Sequence, residues 1–135
     1  RFPIVCGTDD PTGRLNFHIE RVREGRAIQI ENLNAKMTYV SSHEAAHVLH
    51  FLLTCGKEGP VNVGSLNAIS IAELLGWISK VVGREPIVST TLGDPSPYAP
   101  NEDFYPSVER LQSWGFKSSR LEDWLPKLIE RIRIQ

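Results

Sequence analysis

Three times in this chain a serine stands three residues ahead of a glutamate at the head of a helix-periodic run: Ser41 with Glu44, Ser70 with Glu73, and Ser119 with Glu122. In such a pair the serine oxygen accepts from an unpaired amide of the first turn. The glutamate reaches back to the cap's own amide, and its charge complements the helix dipole. The spacing predicts three helix starts. The first helix continues through Leu53, the second through Val82 to Gly83, and the third towards the C-terminus, where Pro126 removes one backbone donor and predicts a kink or restart. A fourth helix is predicted over 14–24 from the stripe Leu15, Ile19 and Val22, with Gly25 placed as its C-terminal cap.

Short runs of strand formers lie between these helices. They are the segment around Val5 closed by Gly7, the alternating pair Ile28 and Ile30, and Met37-Thr38-Tyr39-Val40, followed by Pro60-Val61-Asn62-Val63 and Pro86-Ile87-Val88. A brief helix is expected to end near Trp114-Gly115, and 93–106 is the one long connection. The alternation predicts an α/β fold over residues 1–135 with no internal boundary. Trp77, Trp114 and Trp124 could form a stacking platform, but their helical spacing beside apolar residues favours core positions.

The bulk numbers exclude several classes. At 41% hydrophobic and 23% charged, 135 residues suffice for a packed core. The net charge is −1 and the fifteen Lys and Arg are scattered, so no electrostatic footprint for nucleic acid exists. No apolar run reaches the roughly 18 to 20 residues of a membrane span. Cys6 and Cys55 are far apart and in no C-x-x-C, which points to a reducing cytoplasm without a disulfide framework or zinc knuckle. The chain opens Arg1-Phe2-Pro3-Ile4-Val5, and its one methionine is Met37, so an upstream portion is expected.

His43-Glu44-Ala45-Ala46-His47 matches H-E-x-x-H, in which two histidines one turn apart hold zinc and the glutamate acts as base. On a helical wheel at about 100° per residue, His43, His47 and His50 share one polar stripe, and Ala45, Val48, Leu49 and Leu52 fall opposite. A zinc hydrolase needs a third ligand over that stripe, and Glu58 and Glu73 stand in a turn and a capping box. With Glu44 also serving Ser41, the segment reads as a capped surface helix, with no metal site expected and the zinc metallohydrolase kept as the lesser alternative.

The ordered segments resemble the C-terminal part of the extended short-chain dehydrogenase/reductases, the NAD-dependent epimerase/dehydratase family. Arg1 to Gly7 is similar to the family's R-x-x-N-V-Y-G-P strand, Gly25-Arg26-Ala27-Ile28 to its G-x-P-I turn, and Tyr39-Val40-Ser41-Ser42 to Y-V-D-D. Val61-Asn62-Val63-Gly64-Ser65 is similar to Y-N-V-G-S, Ser70-Ile71-Ala72-Glu73-Leu74 to S-I-x-E-L, and Trp114-Gly115-Phe116 to L-G-W/F. Val82-Gly83-Arg84-Glu85-Pro86 fits the intervening helix exit.

The resemblance implies a substrate-binding lobe plus the last strand and helix of a Rossmann-type sheet. The parent would carry NAD or NADP on an N-terminal Rossmann unit and act on a small molecule such as a nucleotide sugar. On the matched positions, Phe2 and Pro3 would stand beside the cofactor. Ile4, the Arg14-Leu15 pair and Lys36 would face the substrate. Ile4 offers no hydrogen bond where the family often places an asparagine, and Ala35 precedes Lys36 where a diphosphate-clamping arginine is common. These departures leave room for another carbonyl or hydroxyl substrate.

No G-x-x-G-x-x-G occurs, and none of Tyr39, Tyr98 and Tyr105 has a lysine four residues on. No catalytic residue and no cofactor binding are therefore expected in this chain alone. The expected partners are the missing Rossmann unit and a second copy meeting through an exposed sheet or helix surface. A self-sufficient binding or interaction module is the other alternative.

Overall fold

The computed structural model describes residues 1–134. The apolar run before Gly7 forms β1 (Ile4–Cys6), and the Leu15, Ile19 and Val22 stripe forms the buried face of α1 (Arg14–Glu24). Gly25 ends that helix in the left-handed region, with φ 68°, and donates to the carbonyls of Arg21 and Val22. After β2 (Ala27–Gln29) the strand expected over Met37 to Val40 is two strands, β3 (Lys36–Met37) and β4 (Tyr39–Ser41). Thr38 sits at the break with its hydroxyl donated to the Asn67 carbonyl at 2.9 Å, and the two halves pair with different neighbours.

The remaining elements are α2 (Ser42–Thr54), β5 (Ile69–Ser70), α3 (Ile71–Val82), β6 (Ile87–Ser89), β7 (Asp94–Pro95), α4 (Glu109–Ser113) and α5 (Leu121–Ile134). No strand forms over 60–63. The Arg1 ammonium donates to the Val61 carbonyl at 2.7 Å and the Val63 amide to the Arg1 carbonyl at 2.8 Å, which satisfies the segment without a ladder. The connection 93–106 is not structureless, since it contains β7.

The three serine pairs diverge. Only Ser70 and Glu73 form the full reciprocal box: the serine hydroxyl accepts from Glu73 N at 3.1 Å, and the glutamate accepts from Ser70 N at 2.8 Å. Ser41 accepts from Glu44 N at 3.0 Å, but the Glu44 carboxylate turns to Ser119, accepting from its amide at 3.1 Å and from its hydroxyl. Ser119 is thereby spent, and α5 begins two residues later. Its Glu122 accepts from Asn67 Nδ2, and Asn67 Oδ1 caps Leu121 N at 3.0 Å. Pro126 neither ends nor restarts α5. One donor is lost in the second turn, while Leu121, Leu125, Ile129 and Ile132 stay buried along a continuous stripe.

The α/β expectation holds. β1 and β4 pair in parallel with Val5 opposite Val40. β2 is the centre of a parallel sheet β6-β2-β7, with Ile28 opposite Val88 and Asp94, and β3 pairs antiparallel with β5. Helices α1, α3 and α5 pack on one another around a main cluster that includes Ile19, Leu74, Ile78, Leu125 and Ile129. Each such side chain contributes about 1.5 to 3 kcal/mol by leaving water.

A smaller cluster, with Val40, Val48, Val63 and Leu111, lies under α2. It covers only a narrow strip of that helix. Leu49, expected on the core face, is 53% exposed and Leu53 is 84% exposed. Trp77 and Trp124 pack half-buried on the main cluster, whereas Trp114 lies under the Arg110 guanidinium at 5.3 Å.

Gly93 is the tightest turn. Its φ is +100°, and a Cβ there would come within 2.4 Å of the Ala27 carbonyl oxygen, which is backbone and cannot yield. Gly13 also has positive φ (+61°) but open space around it. Gly13→Ala is therefore expected to cost about 1 to 2 kcal/mol of stability from left-handed strain alone. Gly93→Ala should cost well beyond that by parting β7 from β2, as read from urea unfolding midpoints of the two variants.

Candidate functional site

The Arg14 helix start, the entry to β1 and the edge of β3 converge on one open cleft of about 400 Å³. Its walls include Phe2, Ile4, Met37 and Phe104, with Arg14 at the polar end. Arg14 is positioned by a short relay. Asp10 accepts from the Thr12 amide at 2.9 Å and from its hydroxyl at 2.7 Å, and the Thr12 oxygen accepts from Arg14 Nε at 3.2 Å. The terminal guanidinium nitrogens have no hydrogen-bond partner among the described residues.

Of the residues expected to touch cofactor or substrate, Phe2, Pro3, Ile4 and Arg14 line this cleft. Leu15 does not, being 3% exposed in the main cluster, where it anchors the turn that presents Arg14. Lys36 points into an adjoining groove of about 460 Å³ with Asn67, Tyr105, Glu109 and Gln112, and Thr38 belongs to both walls. A third cleft, of about 440 Å³, lies beyond the carboxyl ends of the parallel strands β1 and β4, bordered by Gly7, Ser42, His43, Lys127 and Arg131. Open α/β sheets commonly bind ligands in that kind of place. A Cβ on Gly7 would meet the Ser42 hydroxyl at 2.6 Å, so the turn leaving β1 touches the first residue of α2 there.

The histidine stripe does not assemble a metal centre. The His43 and His47 rings lie 4.2 Å apart, centroid to centroid, but Glu44 is engaged by Ser119. Among the described residues no group of three or more His, Cys, Asp and Glu is placed to hold an ion.

Behind the cleft lies a buried polar cluster that the sequence reading passed over. His18 Nδ1 is 2.8 Å from the Arg14 carbonyl, which requires a proton on that nitrogen. Nε2 lies 2.7 Å from the Ser96 hydroxyl oxygen, whose one proton is contested between Nε2 and the Tyr98 carbonyl at 2.8 Å. Tyr98 stacks on the imidazole at 4.8 Å, and its hydroxyl reaches Cys6 Sγ at 3.9 Å. Burial, only partly offset by the Arg14 carbonyl, pulls the His18 pKa down to about 4.

Burial also pushes the Cys6 thiol up to about 12 and raises the Tyr39 and Tyr98 phenols, so none of them is a proton carrier near neutral pH. The missed signal was periodicity. His18 falls on the same face as Leu15 and Val22, so a polar ring was bound to be buried there.

No family model and no curated protein sequence matches the chain. Solved structures do. UDP-glucose 4-epimerase of Thermus thermophilus, solved with NAD, superimposes with TM-score 0.74 at 19% identity over 98% of this chain and 45% of that chain. UDP-N-acetylglucosamine 4-epimerase of Methanobrevibacter ruminantium, in complex with UDP-N-acetylmuramic acid, gives 0.74 at 16% identity over 99% and 44%. GDP-mannoheptose C4 reductase of Campylobacter jejuni, with NADP bound, gives 0.66 at 17% identity over 96% and 46%. The fold is thus that of the C-terminal part of epimerases and reductases of this kind, and the chain spans a little under half the length of these structures.

Because His18 is neutral when folded and takes a proton below its ordinary 6.5 when unfolded, its contribution to stability is complete above pH 6.5 and is lost as pH falls towards 4. The loss is on the order of 3 kcal/mol. Urea unfolding measured between about pH 7 and pH 4 should show this slope in the natural chain and a flatter one in His18→Gln.

Proposed function

We propose that this chain is the substrate-binding portion of an NAD(P)-dependent epimerase, dehydratase or reductase acting on a sugar or related carbonyl or hydroxyl compound, and that it works with a separate cofactor-binding Rossmann unit. The observation that carries this is the state of β1. It has a parallel partner, β4, on one side only among the described residues, and beside its open edge Phe2 is 41% and Val5 38% exposed. Parallel strands are normally buried on both faces and flanked by further strands. The resemblance of fold to chains roughly twice as long supports a sheet continuing beyond β1.

Within that assembly Phe2 and Pro3 would wall the nicotinamide side, and Ile4 and Arg14 the substrate side. Leu15 would hold Arg14 in place, and Lys36 would meet the outer end of the ligand. The cofactor's redox chemistry would come from the Rossmann unit, since this chain's own residues do not fit a dinucleotide. The junction from β4 into α2 is Ser41-Ser42 with no glycine nest for a pyrophosphate. Gly7, the glycine nearest it, is closed over by Ser42. Tyr39 and Tyr98 are buried without a lysine to lower their phenols.

The work of these residues is to bind, orient and exclude water, with proton and hydride transfer supplied from the other side of the cleft. The free cysteines fit a reducing cytoplasm. Without the Rossmann unit, the β1 edge and the Leu49 and Leu53 face of α2 are the surfaces that would draw two copies together.

Titrating this chain against NADH fluorescence is expected to give no saturable binding. A polypeptide extended by the residues encoded ahead of Arg1 is expected to gain it, and to carry G-x-x-G-x-x-G and Y-x-x-x-K in the added part. A start codon immediately before Arg1, or saturable NADH binding by the 135 residues alone, would overturn the reading.

A further inference from the structure

A catalytic zinc centre needs a third protein ligand, which the stripe on α2 lacks among the described residues, but chelation needs only two. His43 and His47 stand one helical turn apart on one exposed face, with ring centroids 4.2 Å apart and planes tilted by 57°. Rings this close need only a small rotation to present one nitrogen each to an ion about 2.0 to 2.1 Å away. No ring nitrogen of either has a hydrogen-bond partner among the described residues, and His50, one turn further on, makes no ring contact with His47.

The backbone between the two histidines is the best-held part of α2. Ser41 accepts from Glu44 N, the Glu44 carboxylate is fixed by Ser119, and Ala45 and Val48 are buried in the smaller cluster. Further along the same helix, Leu49 and Leu53 are exposed. The two imidazoles therefore stand on a stiffened turn, and an ion gains both with little loss of chain freedom. Glu44, turned to Ser119, is not one of the ligands.

The donor set selects the ion. Imidazole nitrogen suits late first-row ions, while Mg²⁺ and Ca²⁺ take oxygen. A structural zinc site is closed by four protein ligands, whereas Cu²⁺ and Ni²⁺ accept a tetragonal set of nitrogen and oxygen in which water fills the remaining places. Lys127 and Arg131 of α5 share a cleft with His43, together with Asp123, but not with His47. These cations oppose the ion from one side only.

We infer that His43 and His47 form a two-toothed surface site for a divalent late transition ion, Cu²⁺ before Zn²⁺, completed by water, and that the ion pins the first turns of α2. The site is separate from the Arg14 cleft, which neither histidine lines, and it depends on no cofactor and no upstream unit.

The experiment is a calorimetric titration of the 135-residue chain with Cu²⁺, Zn²⁺ and Mg²⁺ in a non-coordinating buffer, paired with urea unfolding with and without the ion. Cu²⁺ is expected to bind at one site per chain, more tightly than Zn²⁺, with no binding of Mg²⁺. His43→Ala and His47→Ala should each weaken Cu²⁺ about tenfold or more, and His50→Ala should change it less than about twofold. The electron paramagnetic resonance of bound Cu²⁺ should show nitrogen hyperfine structure that simplifies in either of the first two variants. Cu²⁺ should also raise the urea midpoint of the natural chain and leave that of His47→Ala nearly unchanged, because the pair is assembled only in the folded helix.

All three histidines are exposed, so the ion-free midpoints of the variants should match the natural chain, which separates a lost ion from a lost fold. Saturation only at about millimolar Cu²⁺ or above, tighter binding of Zn²⁺, indifference to His43→Ala or His47→Ala, an equal loss in His50→Ala, or loss of the ion in Cys55→Ser each overturns the inference. None of these outcomes bears on the NADH test of the extended polypeptide.

Discussion

The pairing of His18 with Ser96 governs how the rest of the molecule is arranged, because it ties a helix to a loop that has almost no regular structure of its own. Through it α1, β1 and the 93–106 segment share one buried point. Tyr98 lies flat on the imidazole, touches Cys6 on β1 and tilts against Tyr39 on β4 at 5.4 Å. Neutral His18 has one donor, used on the Arg14 carbonyl, and one acceptor facing a Ser96 hydroxyl that also lies against the Tyr98 carbonyl and amide, so helix, ring and loop share one small network. The loop is then held at both ends. Arg21 and Arg26 meet Asp94 at 2.7 and 2.9 Å, and further on Asp103 accepts from Lys36 N at 2.9 Å and Phe104 N donates to the Lys36 carbonyl at 2.8 Å. Phe104 reaches the cleft rim because of that chain of contacts.

Most of the secondary structure was legible because its signals are local. The stripe on α1 with its terminal glycine, the boxed start of α3 and its exit at Gly83 all depend on residues within a turn or two of one another. What was not legible depends on partners far along the chain. The strand expected at Pro60 to Val63 has the right residues, but Arg1, about sixty positions away, answers its amide and carbonyl in a loop geometry. The single strand read over Met37 to Val40 divides at Thr38 because Asn67 claims the hydroxyl. Phe2, Pro3, Ile4 and Arg14, drawn from the resemblance, line one cleft, while Leu15 sits in the core and Ser96 and Tyr98 were hidden in the long 93–106 connection.

Glu44 shows how a local pattern misleads even when part of it is right. Ser41 does cap α2, so the first half of the box exists, and the two histidines do share an exposed face. The carboxylate nevertheless has a stronger offer, two donors from Ser119 instead of one backbone amide, and charge-assisted hydrogen bonds favour that arrangement. The consequence is tertiary: the start of α2 is joined to the approach to α5. The carboxylate that the H-E-x-x-H pattern would use as a base is thus engaged in the joint between α2 and the approach to α5.

The cleft inherits its character from these structural commitments more than from the residues that line it. Asp10 is used in holding Thr12, Thr12 in aiming Arg14, Thr38 in fixing Asn67, and Asn67 in starting α5. Each bond that stiffens the lobe occupies a donor or acceptor, while the side chains of Lys36, Tyr105 and Gln112 in the adjoining groove have no hydrogen-bond partner among the described residues. Arg14 escapes because only its Nε is spent, and because the burial of Leu15 holds its backbone without occupying its fork.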